Sequence, residues 1–240
     1  MIDTKLDEFV QRLKAAAADN LKAVILYGSA ATEEFHSKHS DLNILCVVDQ
    51  ADAAHLEALH GPVDWWIRRG QRPPLVFTRE ELRRSADIFT IELLDMKSRH
   101  RVLYGANVLA EISVPLQYHS IQVERELRTD WLRLRQAILA APKKPKVYLE
   151  LMVSSFSAFA ALFRHALIAL GEAPAETKRE AIGRIAQFAG ADPAGFQTIL
   201  SLREGKLSGR DIDIEKTLNQ YFVFVEAVTE KFDRQLDANK

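Results

Sequence analysis

Two short apolar runs, separated by a Gly-Ser pair and a polar loop, constrain the fold of this chain more than any other feature of its sequence. The first run, KAVILYG, occupies residues 22–28, and the second, SDLNILCVVD, occupies residues 40–49. Short apolar runs that end at a glycine or at polar residues are typical of buried strands. Residues 4–19 carry apolar side chains at helical spacing, and SAATEEF after the first run suits a short helix. The first fifty residues therefore predict the order helix, strand, helix, strand.

The periodicity of the sequence changes near Pro115. Before this residue, apolar runs typical of strands alternate with helical patterns. After it, every long segment has helical period, and short loops containing proline or glycine separate the segments. The sequence therefore predicts an α/β (α+β) fold in which a small mixed-sheet domain, residues 1–114, precedes an all-helical bundle domain, residues 115–240.

Composition limits the location and the partners that we expect. Apolar residues make up 48% and charged residues 27% of the chain, as in soluble globular proteins. No uninterrupted apolar run approaches the roughly 18 residues of a membrane span, and the N-terminus lacks the pattern of a secretion signal. The single cysteine, Cys46, cannot form an internal disulfide. We expect a cytoplasmic protein with no membrane partner. Because the net charge is −1, the chain as a whole does not attract the phosphate backbone of nucleic acid, and we do not expect nucleic acid as a partner. The sequence does not decide whether the chain forms a homodimer.

Two polar side chains stand at the start of the second apolar run. Asp41 and Asn43 are two residues apart, so on a strand both project from the same face. Gly28 and Ser29 end the first strand in a tight turn whose backbone N–H groups would begin a helix. Carboxylate and amide oxygens are ligands of Mg²⁺, and N–H groups at the start of a helix bind phosphate. Together the two features predict a site for a cation and a phosphate group.

These residues resemble a known signature. The pattern is similar to the nucleotidyltransferase fold of the polymerase-beta superfamily, in particular its minimal and kanamycin-type aminoglycoside nucleotidyltransferases. Their signature is an apolar strand, Gly-Ser, a loop, and then Ser-Asp-x-Asp on the next strand. Here YGS at residues 27–29 matches the first part, and SDLN at residues 40–43 matches the second. The resemblance covers residues 20–105, and the helical remainder looks like the bundle that follows the catalytic domain in the kanamycin-type group.

The resemblance implies roles for individual residues. The Gly28 backbone, Ser29 and Ser40 would bind the phosphates of a nucleoside triphosphate, while Asp41 and Asn43 would be ligands of a Mg²⁺ cofactor. The implied reaction is transfer of a nucleoside monophosphate from the triphosphate to a hydroxyl group. The acceptor would be a small molecule or a protein.

This sequence departs from the family pattern at the second carboxylate, because Asn43 is neutral where the family has Asp or Glu. Removing a unit charge about 4 Å from a divalent ion removes roughly 4 kcal/mol of attraction per ionic charge at an effective dielectric near 20. One Mg²⁺ can still bind. A second ion close to the first is much harder to hold.

The third carboxylate of the family depends on which segment lies beside the second strand. RPPLVFT, residues 72–78, carries no acidic residue, whereas TIELLDMK, residues 90–97, would place Glu92 there. A site without this carboxylate has no general base for a hydroxyl acceptor. Two functions therefore remain open. One is an active transferase with Asp41, Asn43 and Glu92 as catalytic residues, and the other is a catalytically degenerate member that binds nucleotide or a partner protein.

Further signals concern the starts of helices. Thr78 and Glu81 have the spacing of a capping box, which predicts a helix from this point. A second Asp-x-Asp, formed by Asp211 and Asp213, precedes a long helical pattern. We interpret this pair as helix capping and not as a metal site, because carboxylates at a helix N-terminus bind backbone N–H groups and complement the helix dipole.

Overall fold

A computed structural model of the protein describes residues 2–31 and 42–238. The chain divides into two compact units, Met1–Pro115 and Leu116–Lys240. The described part of the first unit combines strands with helices, and that of the second contains helices joined by loops and turns.

The described part of the first unit is built around a four-stranded mixed sheet. Its strands are β1 (Leu21–Tyr27), β2 (Asn43–Val48), β3 (Leu75–Thr78) and β4 (His100–Gly105). Their order across the sheet is β3, β2, β1, β4. Strand β1 pairs antiparallel with both β2 and β4, whereas β2 pairs parallel with β3. Both apolar runs recognised in the sequence are therefore the central strands of the sheet.

Six helices surround this sheet in the described part of the first unit. They are α1 (Ile2–Ala17), α2 (Ala53–Ala58), α3 (His60–Ile67), α4 (Arg79–Arg84), α5 (Thr90–Ser98) and α6 (Val108–Glu111). The predicted capping box is present at the start of α4. The Thr78 hydroxyl accepts a hydrogen bond from the Glu81 backbone, and the Glu81 carboxylate accepts one from the Thr78 backbone.

Both faces of the sheet are covered, which explains why its central strands are almost continuously apolar. Alternate residues of a strand project to opposite faces, so Val24 and Leu26 of β1 face one side and Ala23 and Ile25 the other. The first side packs on helices α1 and α3 through Leu6, Phe9, Val10, Leu13 and Trp66. The second side packs on α4, α5 and α6 through Leu82, Leu93, Met96, Val108 and Leu109.

Cys46 lies fully buried on the first of these faces. Burial raises the pKa of its thiol to about 12. A thiol that remains protonated is a poor nucleophile and a poor metal ligand, so Cys46 acts as a small apolar core residue.

The second unit contains five longer helices in its described part. These are α7 (His119–Ala140), α8 (Pro145–Ala169), α9 (Lys178–Ala189), α10 (Ala194–Arg203) and α11 (Ile214–Ala238). Helix α8 is long and apolar enough to cross a membrane by length and composition alone. More than half of its most apolar stretch is buried in the structure, as is usual for a helix in a protein core.

The second Asp-x-Asp occupies the start of α11. Asp211 accepts a hydrogen bond from the Ser208 backbone in a capping box, and Asp213 accepts one from the Lys216 backbone at 3.1 Å. Both carboxylates therefore bind backbone N–H groups at helix starts, and their interpretation as helix caps is confirmed.

Candidate functional site

The candidate site begins at the glycine that ends β1. Gly28 has φ +80°, in the left-handed region that favours glycine, and its N–H donates to the Arg99 carbonyl at 2.9 Å. A short 3₁₀ turn follows, Gly28–Ala31, which contains the Ser29 backbone. The chain thus turns tightly directly after the buried strand, as the Gly-Ser pair indicates.

Asn43 stands beside this turn. It is the first residue of β2 and lies directly opposite Tyr27, the last residue of β1. A β-carbon placed on Gly28 would be 3.5 Å from the Asn43 Nδ2 atom, so the amide lies in contact distance of the glycine. Asn43 is half-buried and shares the face of β2 on which Leu45 and Val47 are buried. The structure therefore brings together two of the predicted site residues, Gly28 and Asn43.

Other predicted site residues fall outside the part of the chain that the structure describes. Ser40 and Asp41 belong to residues 32–41, which the structure does not describe, and the side chain of Ser29 is likewise not described. Their roles in binding phosphate and Mg²⁺ remain predictions.

The strand beside β2 carries no carboxylate. Strand β3 pairs with β2 in parallel, with Leu45 opposite Leu75 and Val48 opposite Thr78. All four residues of β3, LVFT, are uncharged, and the residues that precede the strand are Arg72, Pro73 and Pro74. Continuing this register by two residues places Pro73 level with Asn43. The third carboxylate of the family pattern is therefore absent from the position that the neighbouring strand offers.

Glu92 does not lie on a strand. The alternative in which TIELLDMK forms the strand beside β2 is wrong, because these residues belong to helix α5. The buried residues of α5 are Thr90, Leu93 and Met96, at intervals of three. That spacing puts them on one side of a helix, whereas the side chains of a strand alternate between faces. Glu92 is exposed in the first turn of this helix.

Glu92 nevertheless lies close enough to the end of β1 to influence Tyr27. The pKa of the Tyr27 phenol is raised, chiefly by burial of the ring against the second face of the sheet and also by the negative charge of Glu92. The positive charge of Arg72 acts in the opposite direction and lowers this pKa. Two exposed side chains of opposite charge therefore act on the hydroxyl of Tyr27, whose backbone lies opposite Asn43 in the sheet.

We call Tyr27, Gly28, Asn43, Arg72 and Glu92 the strand-end cluster. Its residues come from the end of β1 and the turn after it, the start of β2, the segment before β3 and the first turn of α5. Arg72 is not among the site residues predicted from the sequence, because the two prolines after it indicate only the beginning of an extended segment. Its position could have indicated a role, because it comes just before the apolar residues of RPPLVFT, one of the two segments considered for the strand that carries the third carboxylate.

The strand-end cluster does not form a closed metal site. Within residues 2–31 and 42–238, there is no group of three or more His, Cys, Asp or Glu side chains that could hold a metal ion. The cluster offers the Asn43 amide oxygen and, at the start of α5, the Glu92 carboxylate. Mg²⁺ retains several waters and needs only one or two carboxylates when substrate phosphates complete its shell. The donor set fits one such ion if Asp41 contributes, but it does not fit two.

The fold was compared with known proteins. No family profile matches this chain. No curated protein matches it. Among solved structures, it is similar to the crystal structure of a spectinomycin adenyltransferase from Enterococcus faecialis with ATP and spectinomycin. The TM-score is 0.52 at 14% sequence identity, and the match covers 91% of this chain and 98% of that chain.

A second solved structure, a toxin-antitoxin with AMP-PNP, has a TM-score of 0.32 and 18% identity, over 52% of this chain and 95% of that chain. A score this low does not establish a common fold. At 14% identity the adenyltransferase match establishes the fold and nothing finer. This chain has a nucleotidyltransferase fold followed by a helical part, which confirms the predicted fold class.

Proposed function

We propose that this chain binds a nucleoside triphosphate at the strand-end cluster and acts as a nucleotidyltransferase. The observation that carries the proposal is the contact between the Gly28 turn and Asn43 at the ends of the two central strands. It occurs in a fold shared with an adenyltransferase whose crystal structure contains ATP. We further propose that residues 1–114 form the nucleotide-binding domain and residues 115–240 a separate helical domain.

In this proposal the strand-end cluster acts together with three residues predicted from the sequence, Ser29, Ser40 and Asp41, and each has a separate role. The Gly28 backbone, Ser29 and Ser40 bind the β- and γ-phosphates, while Asp41 and the Asn43 oxygen hold one Mg²⁺. When bound, that ion would neutralise charge on the phosphates and polarise the α-phosphate.

Glu92 is the proposed general base. It accepts the proton of the acceptor hydroxyl as the hydroxyl oxygen forms a bond to the α-phosphorus. The bond from that phosphorus to the oxygen bridging to the β-phosphate breaks, and pyrophosphate leaves. The charge of Glu92 acts on Tyr27, the residue opposite Asn43. This effect supports the role, because it indicates that the start of α5 is near the proposed ion site.

The absence of a carboxylate from β3 supports a second candidate, a catalytically degenerate protein that binds nucleotide without transferring it. An assay with ATP radiolabelled at the α-phosphate separates the two. Spectinomycin is the first acceptor to test, because the similar adenyltransferase structure contains it. Labelled acceptor together with released pyrophosphate supports the transferase. Tight binding of ATP without either product, across a panel of small-molecule and protein hydroxyl acceptors, supports the degenerate protein.

Binding itself is tested with Asp41→Ala. Titration calorimetry with ATP, GTP, CTP and UTP in the presence of Mg²⁺ should show binding of at least one triphosphate by the native protein. We expect Asp41→Ala to weaken it at least about tenfold, since the variant loses a charged ligand of the ion. Asp49→Ala is the matched control, because Asp49 follows the other end of β2 and pairs with Lys22 at the surface. Absence of binding by the folded native protein would refute the proposal.

The neutral residue at position 43 can be tested by Asn43→Asp. Restoring a carboxylate beside the proposed ion is expected to raise the apparent affinity for Mg²⁺ about tenfold or more, measured by titrating the metal at fixed ATP. Asn219→Asp is the control for net charge, because Asn219 is exposed on α11 in the other unit. An unchanged or lower metal affinity in Asn43→Asp would remove residue 43 from the metal site.

A further inference from the structure

We infer that Arg72 binds the triphosphate of the nucleotide and supplies positive charge where a two-metal site has its second ion. This inference rests on the proposed nucleotide binding and concerns the same site. Arg72 lies outside both YGS and SDLN, the two parts of the sequence signature.

The distribution of charge in the strand-end cluster favours this role. A nucleoside triphosphate carries several negative charges, and two-metal sites neutralise them with two divalent cations held by carboxylates. Here the residue at the start of β2 is the neutral Asn43, and the segment of residues 72–78 contains one charged residue, Arg72. A cation therefore stands just before the strand that lies beside β2, and that strand carries no acidic residue. It would repel a second metal ion and attract a phosphate.

The register of the sheet places Arg72 near the rest of the cluster. Leu75 lies opposite Leu45 in the parallel pair, so the residue two positions before Leu75, Pro73, is level with Asn43. Arg72 comes immediately before Pro73, at the same end of the sheet as the Gly28 turn. Its influence on the Tyr27 hydroxyl agrees with this placement.

Two prolines make the approach of Arg72 to this end of the sheet rigid. Proline fixes its own φ and disfavours helical backbone in the residue before it, so Arg72 and Pro73 are held extended. Because β3 is an edge strand, the missing N–H groups of Pro73 and Pro74 cost no hydrogen bond to an outer neighbour. Arg72 is exposed at the end of this rigid segment.

The chemistry of arginine matches the ligand. A guanidinium remains charged at every working pH and presents its N–H groups in a planar fork that binds phosphate oxygens in pairs. Lysine offers the charge without the fork. We therefore expect Arg72 to contribute to affinity in proportion to the number of phosphates and to contribute little to recognition of the base.

The test compares ATP with AMP by titration calorimetry on the full chain. Arg72→Ala is expected to weaken ATP binding about tenfold to a hundredfold, the loss typical of charged hydrogen bonds, and to change AMP binding by less than about threefold. Arg72→Lys should lie between the native protein and Arg72→Ala. The matched control is Arg68→Ala, which removes the same charge from an exposed side chain that pairs with Asp64 of α3.

The possible failures are distinguishable. If the native protein binds no nucleoside triphosphate, the proposed function fails. If it binds ATP and Arg72→Ala binds ATP equally well, only the role of Arg72 is refuted. Equal losses for ATP and AMP also refute it, because a phosphate contact discriminates between them. Arg72→Gln, which keeps a polar side chain of similar length, replaces Arg72→Ala if that variant does not fold.

Discussion

Replacing Gly105 with alanine is expected to lower the free energy of unfolding of the first unit by about 3–5 kcal/mol. Gly105 ends β4 opposite Ala23 of β1 and has φ +76°. A β-carbon at this position would lie 1.9 Å from the carbonyl oxygen of Lys22. The two strands must separate to accommodate the methyl group, and the residue must also adopt a backbone conformation that is unfavourable for alanine.

A second glycine separates these two effects. Gly70 has nearly the same φ, +75°, but a β-carbon on it would meet no atom within 4 Å. Gly70→Ala should therefore cost only the backbone strain, about 1 kcal/mol. Urea unfolding, with hydrogen exchange followed on peptides of β1 and β4, measures the loss in the first unit. If both substitutions lowered the free energy of unfolding equally, the close approach of β4 to Lys22 would not be the reason that position 105 needs glycine.

The second large effect is expected in the helical unit. Phe196→Ala should lower its free energy of unfolding by about 3–5 kcal/mol, the usual cost of removing a fully buried aromatic ring. Phe196 stacks on Tyr221 of α11 with ring centroids 4.0 Å apart and an interplanar angle of 8°. Further rings from α8 and α11 surround it, namely Phe156, Phe159, Phe163 and Phe224. The variant leaves a cavity that these rings cannot fill without losing contacts with one another.

Phe222→Ala is the matched control for this prediction. Phe222 is half-buried and has one described ring partner, Trp131, at 4.2 Å. Its removal opens a position near the surface into which solvent can move, so we expect a loss of about 1–2 kcal/mol. Hydrogen exchange on peptides of α8 and α11 assigns the change to this unit. A Phe196→Ala variant no less stable than Phe222→Ala would contradict the central role of Phe196 in the core.

Local patterns were sufficient for much of the architecture. The apolar runs at residues 22–28 and 40–49 predicted the central strands β1 and β2, because strands buried on both faces must be apolar almost throughout. The Thr78 capping box predicted the start of α4, since the hydrogen bonds involved join residues three positions apart. In each case, the groups that determine the structure are close together along the chain.

The segment around Glu92 shows where local patterns fail. Residues 90–97 can be read as strand or helix, because their apolar and polar residues satisfy neither period fully. The helix is stabilised by the second face of the sheet, where Leu93 and Met96 belong to the same buried core cluster as Leu45 and Val47, which are distant along the chain. Glu92 consequently approaches the candidate site from a helix and not from the neighbouring strand.

Three features followed from the residues alone, namely the two central strands, the glycine turn after the first of them, and the neutral Asn43 in place of a carboxylate. Each of these depends on residue type and on spacing over a few positions. The fold was needed to establish that β3 lies beside β2 without an acidic residue, and that Arg72 and Glu92 both act on Tyr27. The physical reason is that strand pairing and helix packing join residues far apart in the chain, so the charge around the candidate site is a property of the folded sheet.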